Sequence, residues 1–362
     1  GNRFMGHFET QISSWRSRLS GVRSTLDAWL EVQRSWCSLE AIFVSSEDIR
    51  EQLPEDAKRF DVIDAEFKEQ MADASTMTNP IDACLKDGRY DALTRCQAGL
   101  ELCNRSLSEY LETKRKKFPR FYFISSGDLV DVLSKGKYPP AVQEHFSKFT
   151  DNIAGIVWEK DSETGLEIGV AVGMQAGDRE IVSFSSTYEC RGAVEDWLDG
   201  TMDCCQSNLR EQLGESVSAY MEMPRDRWLN EYCAQLCITT SQIWWSSEVN
   251  QAFERLEQGN DQAIKDYSQV VINGLNGMIE MVLGNLTGEM RTKLKTLITI
   301  EVHARDVVLS FIDNHIENSA DFAWQSQLKY RWDEEQKDCF INISDAEFRY
   351  QYEYVGNCGR LV

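Results

Sequence analysis

Proline is scarce, at 6 in 362 residues, as is histidine, at 4, and the 38 lysines and arginines are outnumbered by 59 aspartates and glutamates, giving a formal net charge of −21. Few prolines mean few forced interruptions, which favours long helices. The deficit of positive charge argues against nucleic acid as a partner, because phosphate backbones are gripped by excess Lys and Arg. No apolar run approaches the ~20 residues needed to cross a bilayer, so no membrane partner is expected. Gly1 to Thr10 show no basic stretch leading into an apolar core, so no secretory signal is expected either. The four histidines lie far in sequence from Cys204-Cys205 and from Cys233 and Cys237, so no zinc set emerges. The eleven cysteines read as free thiols of a reducing compartment.

Motifs for chemistry are missing as well. Gly136-Lys137 suggests a phosphate-binding loop, but Tyr138 stands where the magnesium-binding hydroxyl belongs. There is no H-E-x-x-H, no EF-hand loop and no G-x-S-x-G. The glycines of Gly165 to Gly177 fall in a strand pattern with no helix opening after it, which disfavours a dinucleotide site. The acidic pairs Glu47-Asp48 and Glu334-Glu335 read as surface charge. The sequons at Asn104, Asn285 and Asn342 read as chance matches. No catalytic, cofactor-binding or metal-ligating residue is assigned, and no enzyme activity is expected of the chain.

What is present is helical periodicity. From Phe8 to Phe43 the residues Ile12, Trp15, Leu19, Val22, Leu26 and Trp29 recur at three and four positions, continuing through Trp36 and Leu39. A strict heptad fails at Gln33 and Glu40, so this is a bundle helix rather than a free coiled coil. Further helices are expected from Pro54, over Tyr90 to Lys116, Gly127 to Ser134 and Pro140 to Ile153, and later over Ala193 to Tyr220, Pro224 to Leu256, Asp261 to Leu283 and Gly288 to Ile316. Leu166 to Phe184 alternate around Gly177-Asp178, a β-hairpin pattern. Alternation near Tyr330, Ile341 and Tyr350 to Tyr354 predicts three terminal strands. The expected fold class is mainly α: an elongated rod of packed long helices, with one β-hairpin mid-chain and a small antiparallel sheet at the C-terminus. The expected divisions are 1–153 (first bundle), 154–190 (hairpin), 191–320 (second bundle) and 321–362 (short strands). Phe118-Pro119-Arg120-Phe121-Tyr122-Phe123 gathers four aromatics around a proline, and reads either as a buried elbow or as a docking surface.

Laid out this way, the chain resembles the linker region of dynein heavy chains, above all the axonemal ones. The words that carry the likeness are Trp29-Leu-Glu-Val-Gln-Arg-Ser-Trp36, Leu39-Glu-Ala-Ile-Phe43 and Glu47-Asp-Ile-Arg-Glu-Gln-Leu-Pro-Glu-Asp56. Tyr110-Leu-Glu-Thr-Lys-Arg115, Phe118-Pro-Arg-Phe-Tyr-Phe-Ile-Ser125, Val194-Glu-Asp-Trp-Leu198 and Tyr352-Glu-Tyr-Val-Gly-Asn357 complete them. Ser46-Glu-Asp-Ile-Arg50 and Lys58-Arg-Phe60 are similar to the beta-type outer-arm chains.

The resemblance implies a mechanical arm. It lies across a ring of six AAA+ modules and switches between bent and straight states to deliver the power stroke along microtubules. It also implies residence in the cytoplasm and cytoskeleton, in the axoneme of a cilium or flagellum. Its partners would be the ring of the same heavy chain and, through parts outside this chain, other dynein subunits and microtubules. ATP and magnesium would bind in the ring, and no cofactor in this chain. The first AAA+ module would follow Val362. Tyr352, Tyr354 and Gly356 are then candidates for tying the arm to that module, with Phe118, Pro119, Arg120, Phe121, Tyr122 and Phe123 as secondary contacts. Flex points are expected in 76–88 and 117–127. The rival reading is a static helical cytoskeletal scaffold of the spectrin type, which would not need the strands and would show an internal repeat that this chain lacks.

Overall fold

The computed structural model describes residues 5–357. The chain falls into two compact units, Gly1–Lys137 and Tyr138–Val362.

The first unit holds α1 (Glu9–Ser45), α2 (Glu47–Gln52), α3 (Pro54–Ser75), α4 (Pro80–Cys84), α5 (Arg89–Lys117) and α6 (Ser126–Lys135). Each boundary has a local cause. Ser46 turns extended after α1, and its hydroxyl accepts the Ile49 amide to cap α2. Pro54 occupies the first position of α3, where its missing N–H costs nothing, followed by Glu55 and Asp56 at the positive end of the helix dipole. Helix α5 begins after Gly88 at φ +77° and closes on Lys114 to Lys117, cations at the negative end of the dipole. Helices α1, α3 and α5 pack together. Their core joins Val32, Leu39 and Phe43 to Phe60, Ile63 and Phe67, and to Leu93 and Leu100. Phe43 stacks on Phe60 with ring centroids 5.3 Å apart. Gly99 lets α3 and α5 approach so closely that a Cβ there would stand 2.6 Å from Ile63 Cδ1. The apolar stripe of α1 is covered only in its second half: Ile12, Trp15, Leu19 and Leu26 are exposed, whereas Val32 and Leu39 are fully buried.

The second unit begins with a 3-10 turn (Pro139–His145) and α7 (Phe146–Phe149), followed by β1 (Ile153–Lys160), β2 (Glu167–Ala176) and β3 (Ile181–Glu189). The three strands form one antiparallel sheet in the order β1-β2-β3. The expected hairpin is β2-β3, and β1 adds a strand that the sequence reading missed. Residues 153–158 are nearly all small or apolar and face cover on both sides, so they show no alternation. The helix expected over Pro140 to Ile153 is found as the 3-10 turn followed by the short α7, and Gln143 of the turn bonds β1 through Ile156 N (3.1 Å) and Ile156 O (3.2 Å).

Next come α8 (Val194–Ala219), α9 (Arg225–Glu231), α10 (Ala234–Glu257), α11 (Ala263–Leu283), α12 (Gly288–Asp313) and α13 (Phe322–Gln325). Helix α10 is central, packing against α8, α11 and α12. It buries hydroxyls as well as apolar groups, and Thr239 and Ser246 satisfy theirs on carbonyls four residues back, at 2.9 and 2.8 Å. A second sheet follows, β4 (Lys329–Asp333), β5 (Asp338–Ile343) and β6 (Ala346–Arg349), antiparallel in that order. Strand β4 lies on α10, with the Tyr330 amide donating to Ser246 Oγ at 3.0 Å. The fold is thus mainly α with two small antiparallel sheets.

Replacing Phe60 with Ala removes one ring of the stacked pair at a site with no exposure. The expected loss is about 3–5 kcal/mol of stability in urea-induced unfolding of the first unit.

Candidate functional site

The expected third terminal strand, running to Tyr354, ends early. Strand β6 stops at Arg349, Tyr350 N makes one more ladder bond to Cys339 O at 2.9 Å, and Tyr352 then turns to φ +56°. Residues 350–356 leave the sheet as an extended strap held by side chains of the second unit. Tyr352 and Tyr354 are buried although they flank exposed residues.

The strap is fixed at three points. At the first, the Tyr352 hydroxyl donates to Asp338 Oδ1 at 2.6 Å and accepts the Cys339 amide at 2.9 Å. Arg349 Nε donates to Asp338 Oδ2 at 2.6 Å, and Arg210 stands 3.5 Å away. Burial pushes the Asp338 carboxyl up, but the bonds from Tyr352, Arg349 and the Cys339 backbone, with the charge of Arg210, outweigh it and hold the carboxyl below the usual range. At the second, Gln235 of α10 reads the strap with both ends of its amide. Its Nε2 donates to Tyr350 Oη (2.7 Å) and Glu353 O (2.8 Å), while its Oε1 accepts the Val355 amide (2.9 Å). At the third, the Tyr354 hydroxyl donates to Glu180 Oε2 at 3.0 Å. Burial, then the Glu180 charge, push the Tyr354 phenol up, so it stays a donor.

Glu180 does more than hold the strap. Its Oε1 accepts the Ala234 amide at 2.9 Å, capping α10 from outside, and pairs with Lys293 of α12 at 3.1 Å. Lys293 in turn donates to the carbonyls of Leu229 (3.2 Å) and Tyr232 (2.7 Å), satisfying the end of α9. This is why the single helix expected from Pro224 to Leu256 is two helices: Tyr232 and Cys233 are extended, and long-range charges satisfy both broken ends. Gly356 closes the strap at φ +61°, where a side chain would be strained and a Cβ would collide with the Asn152 amide. Asn152 Nδ2 donates to Val355 O at 2.8 Å.

The aromatic segment belongs to the first unit and is described by itself. It forms a 3-10 turn (Pro119–Phe123). Phe118 and Phe121 are buried and meet edge to face at 4.9 Å. Pro119 is exposed and Arg120 half-buried, while Phe123 is 75% exposed and Tyr122 53%. The Tyr122 hydroxyl donates to Glu112 at 2.6 Å. Phe118 and Phe121 are thus turned inward, while Pro119, Tyr122 and Phe123 are exposed.

The family described as "Dynein heavy chain, N-terminal region 2" matches residues 1–216. The chain belongs to the dynein heavy chains. It is 45% identical over 361 residues to "Dynein beta chain, ciliary" of Tripneustes gratilla, and 45% identical over 362 residues to "Dynein axonemal heavy chain 17" of Homo sapiens. It is 42% identical over 354 residues to "Dynein beta chain, flagellar outer arm" of Chlamydomonas reinhardtii. The alignments cover 98–100% of this chain but only 8% of each relative. The likeness is thus to ciliary and flagellar dyneins, beta chains among them. Among the described residues no helix is long and apolar enough to cross a membrane.

Within this dynein segment the sequence pointed to Tyr352, Tyr354 and Gly356 but not to their partners Glu180, Gln235, Asp338, Asn152 and Lys293. One signal was available for Gln235, a long polar side chain inside the apolar run of α10.

Substituting Glu180 with Ala removes the counter-charge of half-buried Lys293, leaving it only the carbonyls of Leu229 and Tyr232, and uncaps α10. The expected cost is about 1–3 kcal/mol in chemical denaturation of the second unit, the range for leaving polar groups without their partner. Asp338, with its folded pKa depressed, adds stability that is present above the unfolded carboxylate value of about 3.9 and is lost as pH falls through the lower folded value. The Cys339 amide resonance should therefore hold steady from neutral pH to about pH 5 and move below about pH 4, and Asp338→Asn should remove that transition.

Proposed function

We propose that this chain is the mechanical linker of an axonemal dynein, an arm that lies across the AAA+ ring and moves between bent and straight states to deliver the power stroke. The observation that carries the reading is the strap: residues 350–356 run extended, yet are clamped to the helical body by buried and half-buried bonds to Gln235, Glu180 and Asp338. A lever needs this, because force delivered through a loose connection would extend the connection before moving the arm. Dense packing of long helices suits the same task, since close-packed interiors transmit strain. In this reading compliance resides in the breaks at 76–88 and 117–127, switching arms concentrating motion in few element-terminal residues. Phe123 and Tyr122, exposed beside buried Phe118 and Phe121, face outward as a secondary contact for the ring. The arm performs no chemistry of its own. ATP and magnesium are bound by the ring, microtubules and other dynein subunits by further parts of the heavy chain, and the motor works in the axoneme of a cilium or flagellum.

The test is made in a whole heavy chain carrying Gly356→Ala. Strain at φ +61° and the collision with Asn152 should loosen the strap. Microtubule gliding should slow severely while ATP turnover persists. Gliding and turnover that fall in step, or neither changing, would favour a static brace.

A further inference from the structure

The second unit contains a cavity of about 750 Å³ that the strap does not use. It is framed by the turn after α8, the start of α9, and α10, α11 and α12. Its floor is aromatic and acidic. Tyr220, Trp245 and Tyr267 line it, together with Glu248 of α10 and Glu301 of α12. The resident cation, Arg225, is already committed: its guanidinium lies 4.5 Å from the ring centroids of both Tyr220 and Trp228, and donates to Ser241 Oγ at 3.1 Å. Its contact with Glu301 is long, at 3.4 Å. Asp226, exposed, also lines the cavity, so its lining carries three carboxylates and one guanidinium.

Two further features point to an occupant. Trp245 is 6% exposed, and its buried indole N–H has no acceptor among the described residues. A buried donor without a partner costs about 1–3 kcal/mol unless something supplies the bond. On the rim, α11 presents Gly274 and Gly277, where an added Cβ would meet nothing within 4 Å. Bare helix backbone admits another main chain closely. Met278, Met281 and Val270 offer apolar wall to an aliphatic stem. Burial raises the Glu248 and Glu301 carboxyls, which a second cation would return toward ionisation.

We propose that this cavity is a docking pocket for a basic side chain, an arginine or lysine presented by a peptide segment of a partner protein laid along α11. The cation would sit against the aromatic rings and pair with Glu248 and Glu301, and a peptide carbonyl would take the Trp245 indole N–H. An anionic ligand is disfavoured by the carboxylate excess, and an uncharged apolar one would leave those carboxylates desolvated without a counter-charge.

The probe is N-acetyl-arginine methylamide, titrated into the 362-residue chain while the Trp245 indole N–H resonance is followed by NMR. Saturable movement of that resonance is expected, with N-acetyl-norleucine methylamide leaving it in place. Glu248→Gln with Glu301→Gln should raise the Kd at least about tenfold, the equivalent of ~1.4 kcal/mol. Gly274→Leu should also block binding by filling the open rim; it lies on an exposed helix face and leaves every charge in place, so it serves if the double variant fails to fold. Agmatine has the guanidinium but no peptide carbonyl. If it binds as tightly as the arginine derivative, the pocket takes free amines and the peptide assignment is wrong. Absence of any movement, or equal binding by the double variant in its folded form, overturns the proposal.

Discussion

A single half-buried carboxylate ties together several parts of the second unit. Glu180 sits between β2 and β3, caps α10, neutralises Lys293 of α12 and receives the Tyr354 hydroxyl. Four segments distant in sequence therefore share one charge. Taking such a charge out of water is costly unless every lone pair is used, and here both oxygens are bonded. The hairpin, the helix break at Tyr232 and the strap thus meet at one carboxylate.

The strap follows from that constraint. An extended segment has no ladder to satisfy its backbone, so it needs side-chain partners or water. Gln235 supplies both a donor and an acceptor, and Asn152 supplies a donor at the far end. Asp338 performs a parallel service for the second sheet, gathering Tyr352, Arg349 and the Cys339 amide. The rest of the unit, built around α10 with α8, α11 and α12, is the rigid body that makes these bonds worth having.

The helices were legible in the sequence where one face alone is buried. The run from Phe8 to Phe43 and the two later runs beginning at Asp261 and Gly288 are found as α1, α11 and α12, because amphipathic spacing records a one-sided environment. Strand β1 was not legible, since cover on both sides erases alternation. The break between α9 and α10 was hidden for a different reason: it is imposed by Lys293 and Glu180, tens of residues away, and local spacing has no access to them. Of the candidate site, the tyrosines and Gly356 could be picked out, while the polar residues that receive them could not. A glutamine or glutamate looks the same in sequence whether it faces water or a buried hydroxyl. The aromatic cluster shows the same limit, as composition alone did not separate buried Phe118 and Phe121 from exposed Tyr122 and Phe123.

Clamping of the strap is the claim on which the account stands, and hydrogen exchange at the Val355 amide examines it most directly. That amide donates to Gln235 in a half-buried setting. The account predicts protection comparable to the core of α10, lost only when the second unit opens as a whole. Exchange at the rate of a free peptide would contradict it, because the strap would then be a loose end.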